Sequence, residues 1–185
     1  YSSTSSAYGL RNDPPLKESM SRDCLNPYSV TKVAAEDLCK MYTSLWNLET
    51  VIFRYFNVYG ERQPTKGQYA PVIGLFQKQK ADGQLMTVVG DGEQRRDYTH
   101  VSDVVGANIA AAFTDNKKAL GEVINVGTGT NHSVNQLTEL IGGEREYIPE
   151  RPGEARETLA DITKLKTLLQ YEPQVKLEDW IKENE

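Results

Sequence analysis

The sequence predicts an α/β protein with a smaller appended lobe, and three observations lead to that fold class. The stretches "TVIFRYF" (50–56) and "EVINVG" (122–127) are short apolar runs, typical of strands that are covered on both faces. Residues 28–46 carry apolar side chains at helical spacing before the first of these runs. Beyond residue 60 the predicted strands and helices become shorter and mixed, which indicates a second lobe.

The elements follow in order along the chain. "YSS" at the start suits the end of a buried strand, and a polar loop leads from it to Asn26. Asn26 is predicted to cap the first helix, with Pro27 in its first turn, where a missing N–H costs nothing. Further helices are predicted at 72–81, at 103–113 with Ser102 as cap, at 134–141 with Ser133 as cap, at 162–170 and at 177–185. Two short strands around the turn Gly90-Asp91-Gly92 and one at 144–149 complete the list.

Composition limits the classes of function. The chain has 185 residues, 38% of them apolar, which fits one domain or a domain and a half. The net charge of −5 argues against nucleic acid as a partner, because phosphate binding needs a basic face. No apolar run approaches the ~20 residues that span a bilayer, and no signal peptide opens the chain, so no membrane association is expected.

Cysteine and histidine are too sparse to suggest a metal site. Cys24 and Cys39 have no metal-binding spacing and form no disulfide framework, and His100 and His132 are scattered. We therefore expect no metal, and a reducing, cytoplasmic location.

The stretch "NPYSVTK" (26–32) places Tyr28 and Lys32 four residues apart where the first helix begins. At this spacing the two side chains share one face of a helix, ~5–6 Å apart at Cβ. An ammonium so close favours the phenolate, and a phenol tuned in this way can remove a proton from a sugar hydroxyl. Taken alone, Y-x-x-x-K is weak, because such pairs occur by chance in many helices.

Five motifs accompany this pair. They are "YSSTSSAYG", "FRYFNVYG", "GDGEQRRDYTHVSD", "NVGTG" and "RPGEARETLADITK". In this order and spacing they resemble the extended short-chain dehydrogenase/reductase family, specifically its NAD-dependent nucleotide-sugar epimerases and dehydratases, and among these the UDP-glucose and UDP-N-acetylglucosamine 4-epimerases. The resemblance covers essentially the whole chain.

The resemblance implies a division of the chain. Residues 1–60 are expected to be the C-terminal part of a Rossmann-type parallel sheet that carries the catalytic residues. Residues 61–185 are expected to form mainly a mixed α/β lobe for a UDP-sugar, with some elements returning to the sheet. The glycine-rich turn that holds the NAD pyrophosphate in this family does not occur in the sequence. These 185 residues alone are therefore expected to be inactive, and the intact protein is expected to be a homodimer.

Catalytic and cofactor roles carry over from the family residue by residue. Thr4, flanked by Ser3 and Ser5, would hydrogen-bond the reacting sugar hydroxyl. Tyr28 would be the base, and Lys32 would assist it and hold the nicotinamide ribose. Tyr55 and Phe56 would lie beside the nicotinamide of NAD.

Substrate roles are carried over in the same way. Asn57 would meet the sugar diphosphate, and Arg96 and Arg151 would clamp it, because a planar guanidinium suits phosphate oxygens. Glu154 stands where the family usually has an Asp that contacts the uridine ribose, and Arg95 is expected to be a solvated neighbour. Backbone groups of Thr87, Val88 and Val89 would line the base of the nucleotide. Asp97 and Asp103 are expected to brace loops.

The residues after Thr4 bear on the reaction. Dehydratases of the family have an Asp-Glu pair there and decarboxylating members a Glu, whereas this chain has Ser5 and Ser6. Plain C4 epimerisation is therefore favoured. The alternatives are another nucleotide-sugar enzyme, such as a dehydratase or UDP-glucuronate epimerase, and a non-catalytic nucleotide-sugar-binding module.

Thr158 bears on substrate size. In the family, the residue seven positions after the second clamp arginine borders the C2 substituent of the sugar, and a tyrosine there excludes an N-acetyl group. In this chain that position is Thr158, which is smaller than tyrosine and leaves space for an N-acetyl group. A tyrosine would exclude that group because overlap in a closed pocket is costly. The sequence therefore predicts that N-acetylated UDP-sugars are accepted.

Overall fold

The computed structural model describes residues 1–65, 67, 70–150 and 153–184, and these form nine strands and six α-helices. The strands are β1 (Ser2–Thr4), β2 (Ile52–Tyr55), β3 (Val58–Tyr59), β4 (Met86–Val89), β5 (Arg95–Arg96), β6 (Thr99–His100), β7 (Val123–Val126), β8 (His132–Ser133) and β9 (Arg145–Ile148). The helices are α1 (Pro27–Trp46), α2 (Val72–Ala81), α3 (Val101–Ala112), α4 (Val134–Ile141), α5 (Thr163–Leu169) and α6 (Leu177–Glu183). No helix among the described residues is long and apolar enough to cross a bilayer.

The central sheet is parallel, with the strand order β1-β2-β7. In its register Ser3 pairs with Arg54, and Arg54 pairs with Asn125. These three residues, which we call the polar row, cross the middle of the sheet and are buried. The α/β class with a parallel sheet is thus confirmed, and β7 returns to the sheet from the second half of the chain.

Helix α1 begins as predicted. The Asn26 side chain accepts a hydrogen bond from the N–H of Ser29 over 2.8 Å, and Pro27 occupies the first helical position. The helix ends at Trp46, and Asn47 caps it in the left-handed conformation at φ 55°. Several of its apolar side chains nevertheless remain exposed, namely Leu38, Leu45 and Trp46 at 54%, 64% and 60%. The apolar periodicity therefore predicted the helix without indicating a buried face.

One face of the central sheet packs against α3 and α5. Phe53, Ile124 and Val126 form a core there with Ala107 and Leu165. Asp103 in the first turn of α3 accepts hydrogen bonds from the backbone N–H groups of Gln174 and Val175 and from the Tyr171 hydroxyl. As predicted, Asp103 is a structural residue that holds the loop before α6.

The second lobe has its own core between β4, α2, α4 and α6. Strand β4 pairs in parallel with β9, and β5 pairs antiparallel with β8. The buried side chains of this core include Phe76, Met86, Val88, Leu137 and Ile141. The second lobe is thus a mixed α/β unit.

One local prediction is wrong. Helix α3 is capped by His100, whose Nδ1 accepts from the N–H of Ser102, so Ser102 is not the cap but the residue that is capped. The two strands predicted around Gly90-Asp91-Gly92 are present as β4 and β5, and each pairs with a strand from later in the chain. By contrast, Ser133 forms the full capping box with Gln136 at the start of α4.

Residues 153–161, which we call the wall segment, have no helix and only isolated bridges, yet their backbone is held closely. The N–H of Thr158 donates to Arg95 O over 3.0 Å, and the N–H of Arg95 donates to Arg156 O over 2.9 Å. Farther along, the N–H of Leu16 donates to Leu159 O and the N–H of Asp161 donates to Leu16 O. The segment is thereby fixed to both lobes.

Candidate active site

Tyr28 and Lys32 lie on the first two turns of α1, beside the end of β1. The Lys32 ammonium donates to the backbone O of Ser2 over 2.8 Å. Its Nζ stands 5.9 Å from the centre of the Tyr28 ring and 5.4 Å from that of Tyr1. Tyr28 is 54% exposed. The structure therefore brings the phenol and the ammonium together on an accessible surface.

Thr4 ends β1 and is buried. Its Oγ1 accepts a hydrogen bond from the N–H of Ser6 over 3.1 Å and so caps the short 3₁₀ turn Ser5–Tyr8. This bond uses the oxygen as an acceptor and leaves the hydroxyl proton available for another partner. The flanking Ser3 donates its own hydroxyl to Glu36 of α1.

The two residues predicted to lie beside the nicotinamide differ in their surroundings. Phe56 is fully buried in a small core with Tyr8, Leu16 and Ala160. Tyr55 is half-buried, and its hydroxyl makes a 2.9 Å hydrogen bond with the Nδ2 of Asn108 on α3. The contacts of both residues are thus with the protein's own core and helices.

A pocket of about 430 Å³ lies between the two lobes, a volume in the usual range for small-molecule sites. It gathers five of the predicted substrate residues: Asn57, Thr87, Val89, Arg96 and Glu154. The remaining lining comes mainly from β3, from α2 and the residues before it, and from single residues such as Tyr98. The sequence analysis did not name these, although the apolar start of α2 is a signal that could have found them. They are Val58, Tyr59, Ala70, Pro71, Val72, Ile73, Leu75, Phe76, Gln94, Tyr98 and Val134.

Asn57 connects this pocket to the wall segment. Its Nδ2 donates to the backbone O of Asp97 over 3.2 Å and to Thr158 Oγ1 over 3.3 Å. Thr158 thus stands next to the pocket through its contact with Asn57. The carboxylate of Asp97 accepts from the N–H groups of Gly129 and Ala160, which makes it the loop-bracing residue that was predicted.

Arg96 faces Glu154 across the pocket. Its Nη2 lies 3.7 Å from Glu154 Oε2, and its Nη1 donates to Arg95 O. Burial lowers the pKa of Arg96, while Tyr98 and Glu154 oppose the shift. Arg151, the second predicted clamp residue, lies outside the described residues.

Arg95 is not the solvated neighbour that was predicted. It is half-buried, and its guanidinium donates to the side chain of Asn131 over 2.7 Å and to the Asn131 backbone O over 2.8 Å. Asn131 in turn donates to Glu157 over 2.7 Å. These three residues brace the wall segment, and the sequence analysis did not name Asn131 or Glu157.

The three residues predicted to line the base of the nucleotide lie on opposite faces of β4. Val88 is buried in the core of the second lobe, whereas Thr87 and Val89 border the pocket. The N–H of Thr87 donates to the side chain of Gln79. Among the described residues no cluster of three or more His, Cys, Asp or Glu side chains could hold a metal ion.

Comparison with known proteins places this arrangement in a family. The family profile described as GDP-mannose 4,6 dehydratase matches residues 1–184. The chain belongs to this family. It is thereby a member of the extended short-chain dehydrogenase/reductase group of nucleotide-sugar epimerases and dehydratases, as its motifs predicted.

The names of three similar members of the family refer to different nucleotide sugars. The UDP-glucose 4-epimerase of Mycolicibacterium smegmatis is 35% identical over 97% of this chain and 58% of its own length. The structure of a UDP-N-acetylglucosamine 4-epimerase from Methanobrevibacter ruminantium M1, in complex with UDP-N-acetylmuramic acid, has a TM-score of 0.92 at 35% identity, covering 99% of this chain and 60% of its own. That of a Bacillus cereus UDP-glucuronic acid 4-epimerase, in complex with UDP-glucuronic acid and NAD, has a TM-score of 0.85 at 36% identity, covering 98% and 58%.

The chain therefore spans about three fifths of the length of these family members. Their fold confirms that the parallel sheet is of the Rossmann type and corresponds to the C-terminal portion of the structures.

Proposed function

We propose that the protein containing this chain is an NAD-dependent UDP-sugar 4-epimerase, and that the chain supplies its catalytic and substrate-binding residues. The observation that carries the proposal is the arrangement of two groups of side chains. Tyr28 and Lys32 stand together on α1 beside the strand that ends in Thr4. A pocket between the lobes collects Asn57, Arg96 and Glu154 from the motifs, together with Thr87 and Val89 of β4, which were also predicted to meet the substrate.

The acid–base role falls to Tyr28. In this proposal its phenolate takes the proton from the C4 hydroxyl of the sugar and later returns it, as general acid–base catalysis requires. The Lys32 ammonium lies near enough to stabilise the negative charge on that oxygen. Thr4 would hold the reacting hydroxyl with the proton that its cap to Ser6 leaves unused.

NAD is the cofactor that this proposal requires, and Lys32 fits it. The ammonium has three donors, and the bond to Ser2 O uses one of them, so two are available for the ribose hydroxyls. Tyr55, which is half-buried, would form the surface beside the nicotinamide, and the fully buried Phe56 would support that surface from the core. When bound, NAD supplies the reversible acceptance of hydride from the sugar. The NAD-bound epimerase of Bacillus cereus, similar over 98% of this chain, supports the assignment.

The diphosphate and nucleoside are assigned to the pocket. Arg96 and Arg151 would pair with phosphate oxygens, and Asn57 would turn to the same group the N–H that it donates to Thr158 Oγ1. Glu154 would accept from the ribose, and the backbone at Thr87, Val88 and Val89 would border the base. Two walls of this site, β4 and the wall segment, come from the second lobe.

Epimerisation is favoured over elimination by the residues after Thr4. Ser5 and Ser6 offer no carboxyl group, whereas eliminating water needs a second acid and base. A UDP-N-acetyl-α-D-glucosaminuronate decarboxylase is also among the similar proteins, so decarboxylation is the second candidate. For the substrate we propose both UDP-hexoses and UDP-N-acetylhexosamines, because Thr158 leaves space beside the sugar. A homodimer is part of the proposal for the intact protein.

The test is an assay of the full-length gene product with NAD and, separately, UDP-glucose, UDP-N-acetylglucosamine and UDP-glucuronate. Chromatography of the nucleotide sugars distinguishes a 4-epimer from a pentose or a 4-keto-6-deoxy product. Formation of the 4-epimer from any of the three is the expected result. Release of carbon dioxide or of a 4-keto-6-deoxy sugar would overturn the reaction assignment, and binding of UDP-sugars without turnover would favour a binding module.

A further inference from the structure

A buried ion pair joins α1 to the central sheet on the side of the helix that carries Tyr28 and Lys32. Glu36 follows Lys32 by one helical turn, so its side chain points to the same face. Glu36 is 0% exposed and Arg54 is 2% exposed. The Arg54 guanidinium donates twice to the Glu36 carboxylate, over 2.9 and 2.7 Å.

The same network reaches the strand that ends in Thr4. Ser3 donates its hydroxyl to Glu36, and Ser3 and Arg54 are neighbours in the polar row. One turn earlier on the helix, Lys32 donates to Ser2 O. Helix α1 is therefore tied to two consecutive residues of β1, directly before Thr4.

Apolar contacts do not account for this attachment. The side chains of α1 that the structure buries are Ser29 and Glu36, both polar, whereas the large apolar residues Leu38, Leu45 and Trp46 are more than half exposed. On the sheet side, the Arg54 guanidinium lies 4.7 Å from the centre of the Tyr8 ring, and the Tyr8 hydroxyl donates to Asn125 over 2.6 Å. Helix α1 is thus attached to the sheet at the polar row, through the bonds of Ser3 and Arg54 to Glu36.

Stability alone does not explain a buried ion pair. Replacing such a pair by apolar residues of similar size is often neutral or stabilising, because both charges must be removed from water. What the pair provides is a fixed geometry, since a bidentate guanidinium–carboxylate contact constrains both distance and angle.

We propose that the Glu36–Arg54 ion pair is a positioning device that sets α1 on the sheet and so holds Tyr28 and Lys32 beside Thr4. Neither residue lines the pocket, and both act through α1 and β1. The proposal rests on the proposed function, because the positions it fixes are those of the proposed catalytic residues.

The test compares three forms of the full-length gene product: wild type, Arg54→Met, and the triple variant Ser3→Ala, Glu36→Met, Arg54→Met. Arg54→Met leaves the Glu36 carboxylate buried without its partner, so its melting temperature is expected to fall clearly. The triple variant removes the charges together and is expected to melt close to wild type. Because the stability of the triple variant then matches that of the wild type, any remaining difference in kcat or in amide exchange reflects the position of α1.

In the triple variant we expect kcat to fall at least about tenfold while the Kd for the UDP-sugar stays within about twofold, as for a misplaced catalytic group. Amide hydrogen exchange over residues 27–36 is expected to quicken at least about tenfold, because the first turns of α1 lose their tie to β1. An Arg54→Lys variant, which keeps the charge without the planar fork, is expected to fall between wild type and triple variant in both readouts.

The matched control is the exposed ion pair between Arg22, which precedes α1, and Asp37, which follows Glu36 on α1. Arg22→Gln with Asp37→Asn is expected to leave kcat, exchange and melting unchanged, since exposed pairs contribute little.

The proposal is overturned if the triple variant has the amide exchange rates and the kcat of the wild type. If the triple variant does not fold, wild-type exchange rates and kcat in Arg54→Lys overturn it instead. The proposed function and the positioning role of the ion pair are tested by different readouts. If the wild-type protein turns over no UDP-sugar, the proposed function fails, and the exchange measurement alone then decides whether the pair sets the position of α1.

Discussion

The side-chain amide of Asn57 donates a hydrogen bond to Thr158 Oγ1 over 3.3 Å, which joins residues that are 101 positions apart in the chain. Asn57 lines the pocket between the lobes, and Thr158 belongs to the wall segment. The bond therefore fixes a small hydroxyl residue at the edge of the proposed sugar site.

Thr158→Tyr is expected to abolish most activity on UDP-N-acetylglucosamine while sparing UDP-glucose. The larger ring would fill the space proposed for the N-acetyl group, and overlap in a packed site costs roughly 1–3 kcal/mol or more. The measurement is kcat/KM for both substrates. Thr158→Val is the control, because it keeps the volume and removes only the bond from Asn57. A wild-type enzyme that turns over UDP-glucose but not UDP-N-acetylglucosamine would contradict the idea.

Tyr28→Phe is expected to lower kcat roughly 10²–10⁴-fold, the usual effect of losing a general acid–base. UDP-sugar affinity measured by calorimetry should change little, because the pocket residues are untouched. Tyr42→Phe alters another exposed tyrosine of α1 and should be silent. Retention of more than about a tenth of the wild-type rate by Tyr28→Phe would mean that the base lies elsewhere.

Lys32→Ala is expected to move the pH–rate profile to higher pH and to weaken NAD binding at the same time. The ammonium lies 5.9 Å from the centre of the Tyr28 ring, where the proposed function has it stabilise the charge that develops on the phenol oxygen, and its free donors are those proposed for the ribose. Titration with NAD and a pH series of kcat test the two effects. If either appears without the other, Lys32 does not have both roles.

Arg96→Ala is expected to weaken UDP binding by about 1.5–3 kcal/mol, the range for hydrogen bonds to charged groups. Arg151→Ala should give a similar loss. Arg95→Ala is the comparison: its guanidinium is engaged with Asn131, so we expect some loss of stability and little loss of affinity. Equal losses of UDP affinity at Arg95 and Arg96 would show that the clamp is wrongly assigned.

The exposed Asp91–Arg156 pair is expected to make stability depend on pH. Hydrogen bonding to Arg156 lowers the pKa of Asp91 to about 2, whereas an unfolded Asp has a pKa of about 3.9. A depressed pKa stabilises the fold above the unfolded value, and this contribution is lost as pH falls towards the folded value. The stability lost in Arg156→Gln, measured by urea unfolding, should therefore be larger near pH 6 than near pH 3. A difference that grows on acidification would contradict the assignment.

The regular elements could be predicted because their signals are local. The cap at Asn26, the capping box at Ser133 and the bounds of α2 all depend on residues within one or two turns. The pairing of β4 with β9 could not be predicted in this way, because its partner lies more than fifty residues away. His100 was missed as a cap because it acts through a ring nitrogen, which is not among the usual capping groups.

For the site, the motifs identified residues that are proposed to contact the ligand, such as Asn57, Arg96 and Glu154, and the fold brings them to one pocket. They did not identify what holds these residues. In the sequence, Glu36 resembles a surface residue of a helix. In the structure it is buried because it pairs with Arg54 of β2. Asn131 likewise gains its role from contacts with Arg95 and Glu157, which no sequence spacing indicates.

The wall segment is held along its length by backbone hydrogen bonds to Arg95 and Leu16, and side chains such as Glu157 add to them at single points. Because main-chain groups are the same for nearly every amino acid, its outward-facing positions can be exchanged without altering the route of the chain. Under the proposed function, substrate preference could therefore change through a few side chains of this segment while the backbone keeps its path.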